Sequence, residues 1–97
     1  MFARVSRTRY QPDKLDEVNK ISQESVIPAA KAQKGFRRIY SLRDPKTGKA
    51  MTISFWETEE DALANEKSGY FQEQRDKVAP YRAEEAVVER YEVVAQG

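Results

Sequence analysis

From Phe2 to Tyr10 the side chains alternate: Ala3, Val5, Arg7 and Arg9 fall on one side, and Phe2, Arg4, Ser6, Thr8 and Tyr10 on the other. A period of two marks a strand, here with apolar and charged positions on both faces. Pro12 stops it, having no N–H to donate, and Asp13 is placed to cap the next turn. Leu15, Val18, Ile21, Ser22, Ser25, Val26, Ala29 and Ala30 then recur at helical spacing. Pro28 lies inside that pattern. It cannot bond back to the Glu24 carbonyl, so a bend or break is expected there. Gly35 suits the left-handed position just past the helix end.

The second half repeats the theme. Phe36 to Arg43 reads as a strand, Asp44-Pro45-Lys46-Thr47-Gly48 as a hairpin turn, and Ala50 to Glu57 as the returning strand. Met51, Ile53 and Phe55 form the most apolar row in the chain. Thr58-x-x-Asp61 has the form of a capping box. The helix it opens carries Ala62, Leu63 and Ala64, breaks near Ser68-Gly69, and resumes with Tyr70, Phe71 and Val78 before Pro80. Ala86 to Ala95 is β-branched and unbroken, a last strand. The order βαββαβ predicts an α+β, ferredoxin-like antiparallel sheet with two helices on one face. Right-handed crossovers put the first and third strands in the middle and the second and fourth at the edges. The other face keeps apolar side chains, which water penalises at roughly 25 cal/mol per Å². A homodimer closed through those faces is therefore expected, with the last strand reaching past its own sheet to clasp the partner.

Composition narrows the function. Ninety-seven residues, 34% charged and 39% hydrophobic, fit a single domain over residues 1–97. A net charge of +1 argues against a dedicated nucleic-acid binder or a polybasic membrane binder. No apolar run is long enough for a signal peptide or a membrane span, so a cytoplasmic location is expected. There is neither cysteine nor histidine. That removes thiolate nucleophiles, the commonest general base, the commonest metal ligand and the usual haem ligand. No glycine-rich phosphate loop follows a strand. The expectation is a protein with no cofactor and no metal. Lys34-Gly35-Phe36-Arg37-Arg38-Ile39-Tyr40 resembles an RNA-binding strand motif. It lies on the second strand, however, and lacks the full aromatic pattern, so RNA is not the expected partner.

Taken in order, several pieces resemble the antibiotic-biosynthesis-monooxygenase (ABM) family of dimeric α+β barrels. They are the strand with its Pro12-Asp13 exit, Ile27-Pro28-Ala29-Ala30 before Gly35-Phe36, and the Asp44-to-Gly48 turn. Phe55-Trp56-Glu57-Thr58 and Asp61-Ala62-Leu63-Ala64 with its Ser68-x-x-Phe71 break complete the set. The resemblance implies a homodimer, with a pocket in each protomer between sheet and helices. It also implies, for some members, oxygenation of aromatic or quinol substrates without a metal or cofactor. The haem-degrading members of the family use an Asn, a Trp and a His. The spacing puts Ser6, Asn65 and Arg75 at those places, and with no histidine to bind iron, haem degradation is rejected.

The pocket candidates are Ser6, Tyr40, Trp56, Asn65, Tyr70, Phe71 and Arg75. Arg75 would hold a substrate oxyanion, Asn65 a carbonyl, and Tyr40, Tyr70 or Tyr81 would donate a proton or orient a phenol. Trp56 is better suited to packing. Arg4, Arg7 and Arg9 are unusual in a central strand. At least one must be paired or reach solvent, and a salt bridge within the dimer is the expected solution. Glu59, Glu60 and Asp61 read as favourable charge at a helix N-terminus. Two functional readings stay open: a cofactor-independent monooxygenase acting on a small aromatic or quinol, and a non-catalytic dimer that binds a small ligand or serves as a stress-associated barrel protein.

Overall fold

The computed structural model describes residues 1–97. Four strands, β1 (Phe2–Tyr10), β2 (Phe36–Arg43), β3 (Lys49–Trp56) and β4 (Arg82–Glu92), form one antiparallel sheet in the order β2-β3-β1-β4. The predicted order and the central and edge positions are those observed. The sheet is open and ferredoxin-like. Helices α1 (Leu15–Ile21), α2 (Ile27–Lys31), α3 (Glu59–Lys67) and α4 (Tyr70–Val78) accompany it. No helix is long and apolar enough to cross a membrane.

Pro28 shows how the first helix absorbs its break. Residues Ser22–Val26 take a π-helical turn, with the Ile27 N–H reaching back to the Ser22 carbonyl. The wider turn relieves the clash that the proline ring would make, and α2 restarts with Pro28 in its first turn. The hairpin closes as its residues dictate. Asp44 N–H donates to the Lys49 carbonyl at 2.8 Å, and Gly48 N–H donates to the Asp44 carbonyl at 2.9 Å. Gly48 has φ +81°, and a Cβ there would overlap the Tyr10 carbonyl oxygen. At the start of α3, Thr58 Oγ1 accepts from the Asp61 N–H at 3.1 Å, as expected of a cap. Gly69, at φ +89°, divides α3 from α4.

The register sorts the side chains. Phe2 pairs with Trp56, Arg4 with Ser54 and Ser6 with Thr52 on the face toward the helices. Trp56 is fully buried with Phe2 and Ala62, and a second cluster joins Tyr10, Leu15, Val18, Ala50 and Val78. The Met51, Ile53 and Phe55 row lies on the opposite face. There it meets Leu42, Tyr40 and Arg38 of β2, and Arg7, Val5 and Ala3 of β1. Tyr40 and Leu42 are each 48% exposed.

β4 departs from expectation at both ends. It starts at Arg82, because Tyr10 pairs with Arg82, and it stops at Glu92, opposite Phe2. Pairing ends there because β1 ends, and Val93 N–H makes a last bond to the Met1 carbonyl. Val88 lies opposite Ser6 on the helix side, whereas Val87, 53% exposed, faces the open side. The two valines are therefore on different faces of the sheet.

Candidate functional site

Arg4 is the first unusual element of the helix-facing side. It projects from the central strand into the interior and is only 3% exposed. Its Nη1 donates to Asn65 Oδ1 at 2.8 Å and to the Ala62 carbonyl at 3.3 Å, and it sits 3.4 Å from Glu66 Oε2. Its guanidinium lies 4.0 Å from the Phe71 ring centre and 5.2 Å from that of Trp56. Burial pulls the Arg4 pKa below its ordinary value, and the field of Glu66 opposes this. The basic residues of β1 thus find partners within the chain: Arg4 with Glu66, Arg7 with Glu89 at 2.9 Å, and Arg9 with Glu84 at 3.4 Å. Pairing across a dimer is not needed to neutralise them.

Beside Arg4, a cavity of about 60 Å³ opens between sheet and helices. Apolar and aromatic walls come from Tyr10, Val26, Ile39, Tyr70, Phe71 and Val78. The polar lining includes Ser6, Thr52 and Ser54 from the sheet, with Ser22 from the π turn and Gln74 from α4. Its charged lining is four arginines, Arg4, Arg43, Arg75 and Arg82, with no carboxylate. Arg43 is the last residue of β2, Arg82 the first of β4, and Arg75 projects from α4.

The helices are tied over this space by polar contacts. Ser22 Oγ accepts from Arg43 Nη2 at 3.0 Å, and Ser25 Oγ donates to Gln74 Oε1 at 2.9 Å. Lys77 Nζ donates to Ser25 Oγ at 2.7 Å. The π turn thus presents two serines, one to the sheet and one to α4, at a place where π turns are often functional. Burial raises the Tyr70 phenol above its ordinary range and lowers the Arg43 guanidinium. Arg75 is lowered by burial first and by Arg82 second.

Of the residues singled out in the sequence, Ser6, Tyr70, Phe71 and Arg75 line this one cavity. Asn65 stands behind it, holding Arg4 and donating to the Asp61 carbonyl at 2.9 Å. Trp56 is packed beneath, its indole N–H given to Ser54 Oγ at 2.9 Å, so it does not touch the space. Tyr40 is on the other side of the sheet. An irregularity in the β2–β3 pairing between Phe36 and Arg38 shifts the alternation, so that Phe36 and Ile39 both face the helices and Tyr40 faces away. Tyr10, Arg43 and Arg82 are lining residues that the sequence reading did not single out. The signal for Arg82 was its position just after Pro80, and for Arg43 its place at the hairpin. No three His, Cys, Asp or Glu side chains converge to form a metal-binding group.

A four-stranded antiparallel sheet with helices on one face and a cavity beneath them defines the ferredoxin-like α+β class. The chain belongs to the antibiotic biosynthesis monooxygenase family, whose model matches residues 1–77. Its fold is similar to that of a Nitrosomonas europaea protein bearing the same family name, 18% identical over 98% of this chain and 100% of that one, with a TM-score of 0.80. A Bordetella bronchiseptica protein of that name is 19% identical over 97% of both chains, with a TM-score of 0.81. One from Deinococcus radiodurans reaches 0.82 at 9% identity, over 99% of this chain and 95% of that one. At such identities the likeness is one of fold. No curated protein matches the chain.

Proposed function

We propose that residues 1–97 form a single ligand-binding domain that oxygenates a small electron-rich aromatic, such as a quinol, without a cofactor. The observation that carries this reading is the cavity. Aromatic and apolar walls and cationic hydrogen-bond donors meet in one space between sheet and helices, in a chain of the monooxygenase family. In that space the arginines would stabilise an ionised substrate oxygen, and low polarity would strengthen the effect. A quinol loses two electrons on becoming a quinone and two more as one ring C–H becomes C–OH. Dioxygen takes all four. One of its atoms enters the ring, and the other leaves as water with the two quinol hydroxyl protons. No outside reductant is required.

The cavity is smaller than the ~150 Å³ that accommodates benzene in a dry core. Entry of a ring therefore needs α4 to move away from the sheet, and Gly69 is the natural pivot. Homodimerisation through the open face, with its Tyr40, Leu42, Ile53, Phe55 and Val87 side chains, would cover the apolar surface and leave the helices free to move.

The test is oxygen uptake with a panel of quinols and hydroxylated aromatics. Oxygenation produces one hydroxyquinone per dioxygen, and added catalase returns no oxygen. Simple autoxidation makes peroxide, and catalase then returns part of it. Wild-type uptake at the level of buffer would remove the catalytic reading. One observation favours the non-catalytic alternative, a small-ligand carrier: no carboxylate or imidazole lines the cavity to serve as a general base. A substrate would have to be ionised by the local field or enter already ionised.

A further inference from the structure

We infer that the cavity selects an organic anion, and that Arg43, Arg75 and Arg82 together form the seat for its charged oxygens. This rests on the cavity being a ligand site and adds the charge of what enters it.

The three residues come from different elements and meet where β1 ends at Tyr10. Tyr10 pairs with Arg82, and the Arg43 guanidinium lies 5.3 Å from the Tyr10 ring. None of the three is within salt-bridge reach of a carboxylate. Glu66, which neighbours the cavity through Arg4, is engaged by both Arg4 and Arg90, and Asp76 acts on Arg75 only through its field, without a salt bridge. The Nε–H of Arg43, of Arg75 and of Arg82 is buried and finds no acceptor on the protein.

Buried guanidinium donors without acceptors are rare in folded chains, because each leaves a strong donor unpaired. Here three such donors belong to residues that line one cavity, and Arg75 and Arg82 repel each other. Nearby serines do not remedy this: Ser22 accepts from Arg43 Nη2, not Nε. A carboxylate or enolate oxygen would answer both the unpaired donors and the repulsion, since arginine forks match planar oxyanions. With α4 moved away from the sheet, the apolar surfaces of Phe71, Tyr70, Val78 and Ile39 that line the cavity give a ring somewhere to lie. The ligand class is therefore a small aromatic bearing a carboxylate or ionised hydroxyl.

The test uses the intact protein at low ionic strength with benzoate, its neutral isostere benzamide, and inorganic phosphate. Calorimetric titration is expected to show benzoate binding at least about tenfold more tightly than benzamide and more tightly than phosphate. In the wild type, the Arg Nε–H resonances of Arg43, Arg75 and Arg82 should shift with benzoate, a readout that needs no variant to fold. Arg75→Gln and Arg82→Gln should each lose the preference, while Lys46→Gln in the exposed hairpin keeps it. Equal affinity for benzamide, no benzoate binding up to about 10 mM, or unmoved Nε–H signals would overturn the anion seat. Phosphate matching benzoate would overturn its aromatic part. The outcomes separate this inference from the catalytic one. Benzoate selectivity without oxygen uptake leaves the seat standing and removes the oxygenase. Uptake with neutral aromatics and no anion preference does the reverse.

Discussion

Replacing Arg4 with Met tests how the helical layer is held to the sheet. Met keeps an unbranched apolar stem of similar reach and removes the guanidinium. The losses are the bonds to Asn65 Oδ1 at 2.8 Å and to the Ala62 carbonyl at 3.3 Å, the contact with Glu66 at 3.4 Å, and the cation near Phe71 at 4.0 Å and Trp56 at 5.2 Å. A buried hydrogen bond to a charged group contributes about 1.5–3 kcal/mol, and the orphaned Asn65 oxygen costs about 1–3 kcal/mol more. Glu66 retains Arg90, which keeps the total below that of a buried acid stripped of every partner. A loss of about 2.5–6 kcal/mol is expected. For a domain of this size each kcal/mol lowers the melting temperature by about 4–8 °C. Urea unfolding followed by circular dichroism and by Trp56 fluorescence measures it, with protein concentration held fixed because association would add to apparent stability. Trp56 is the single tryptophan and is fully buried, so its signal reports this layer. Asn65→Leu combined with Arg4→Met should recover part of the loss, because no buried acceptor is then left unpaired. A single-variant loss under about 1 kcal/mol, or a double variant weaker than the sum of the two, would refute the reasoning.

Gly48→Ala forces a left-handed backbone, at about 1–2 kcal/mol, and also drives a methyl into the Tyr10 carbonyl. Gly69→Ala incurs only the backbone term, since nothing lies within 4 Å of its Cβ, so denaturation should rank Gly48→Ala clearly below it. Tyr70 holds its proton more tightly in the folded chain because burial raises its phenol above the ordinary 10.0. Its contribution to stability is therefore complete below pH 10 and is lost as pH rises through the raised value, a loss that comparison with Tyr70→Phe across alkaline pH should isolate. On the proposed dimer face, Ile53→Asp should lower the mass seen by light scattering or unfold the chain, because a buried unpaired carboxylate costs several kcal/mol. An unchanged dimer would exclude that face, and a monomeric wild type would exclude the dimer.

Element order, the hairpin and both helix interruptions were legible because each rests on local chemistry (alternation, Pro28, Pro45, Gly48, Thr58 and Gly69), and the central place of β1 and β3 followed from the handedness of the crossovers. The faces were less legible. Ile39 and Tyr40 are adjacent and both suit a buried position, and only the pairing irregularity after Phe36 decides between them. The ends of β4 were set by how far β1 extends, which no local pattern in 82–95 encodes. Four of the seven pocket candidates reached the cavity because α4 presents Tyr70, Phe71 and Arg75 along one surface and Ser6 shares the face of Arg4. The convergence of Arg43 and Arg82 was not legible. They are far apart in sequence, and each alone reads as an ordinary strand-end charge.

The place of β1 between β3 and β4 also bears on how the chain acquires its shape. Phe2 pairs with Glu92, about 90 residues away, so the sheet is assembled from distant contacts. Such topologies fold slowly, because the ends of a long loop must meet before any stabilisation is gained. During synthesis at about 5–20 residues per second, β1 leaves the ribosome several seconds before its β4 partner exists. Over that interval one edge of β1 can already pair with β3, but its other edge is bare. The charges at Arg7 and Arg9 on that exposed strand are the sort of residues that discourage pairing with a neighbouring chain until Glu89 and Glu84 arrive. The arginines of ion pairs that look like minor surface decoration in the finished sheet thus have a use before those pairs form, as unpaired charges on an edge that exists only while the protein is being made.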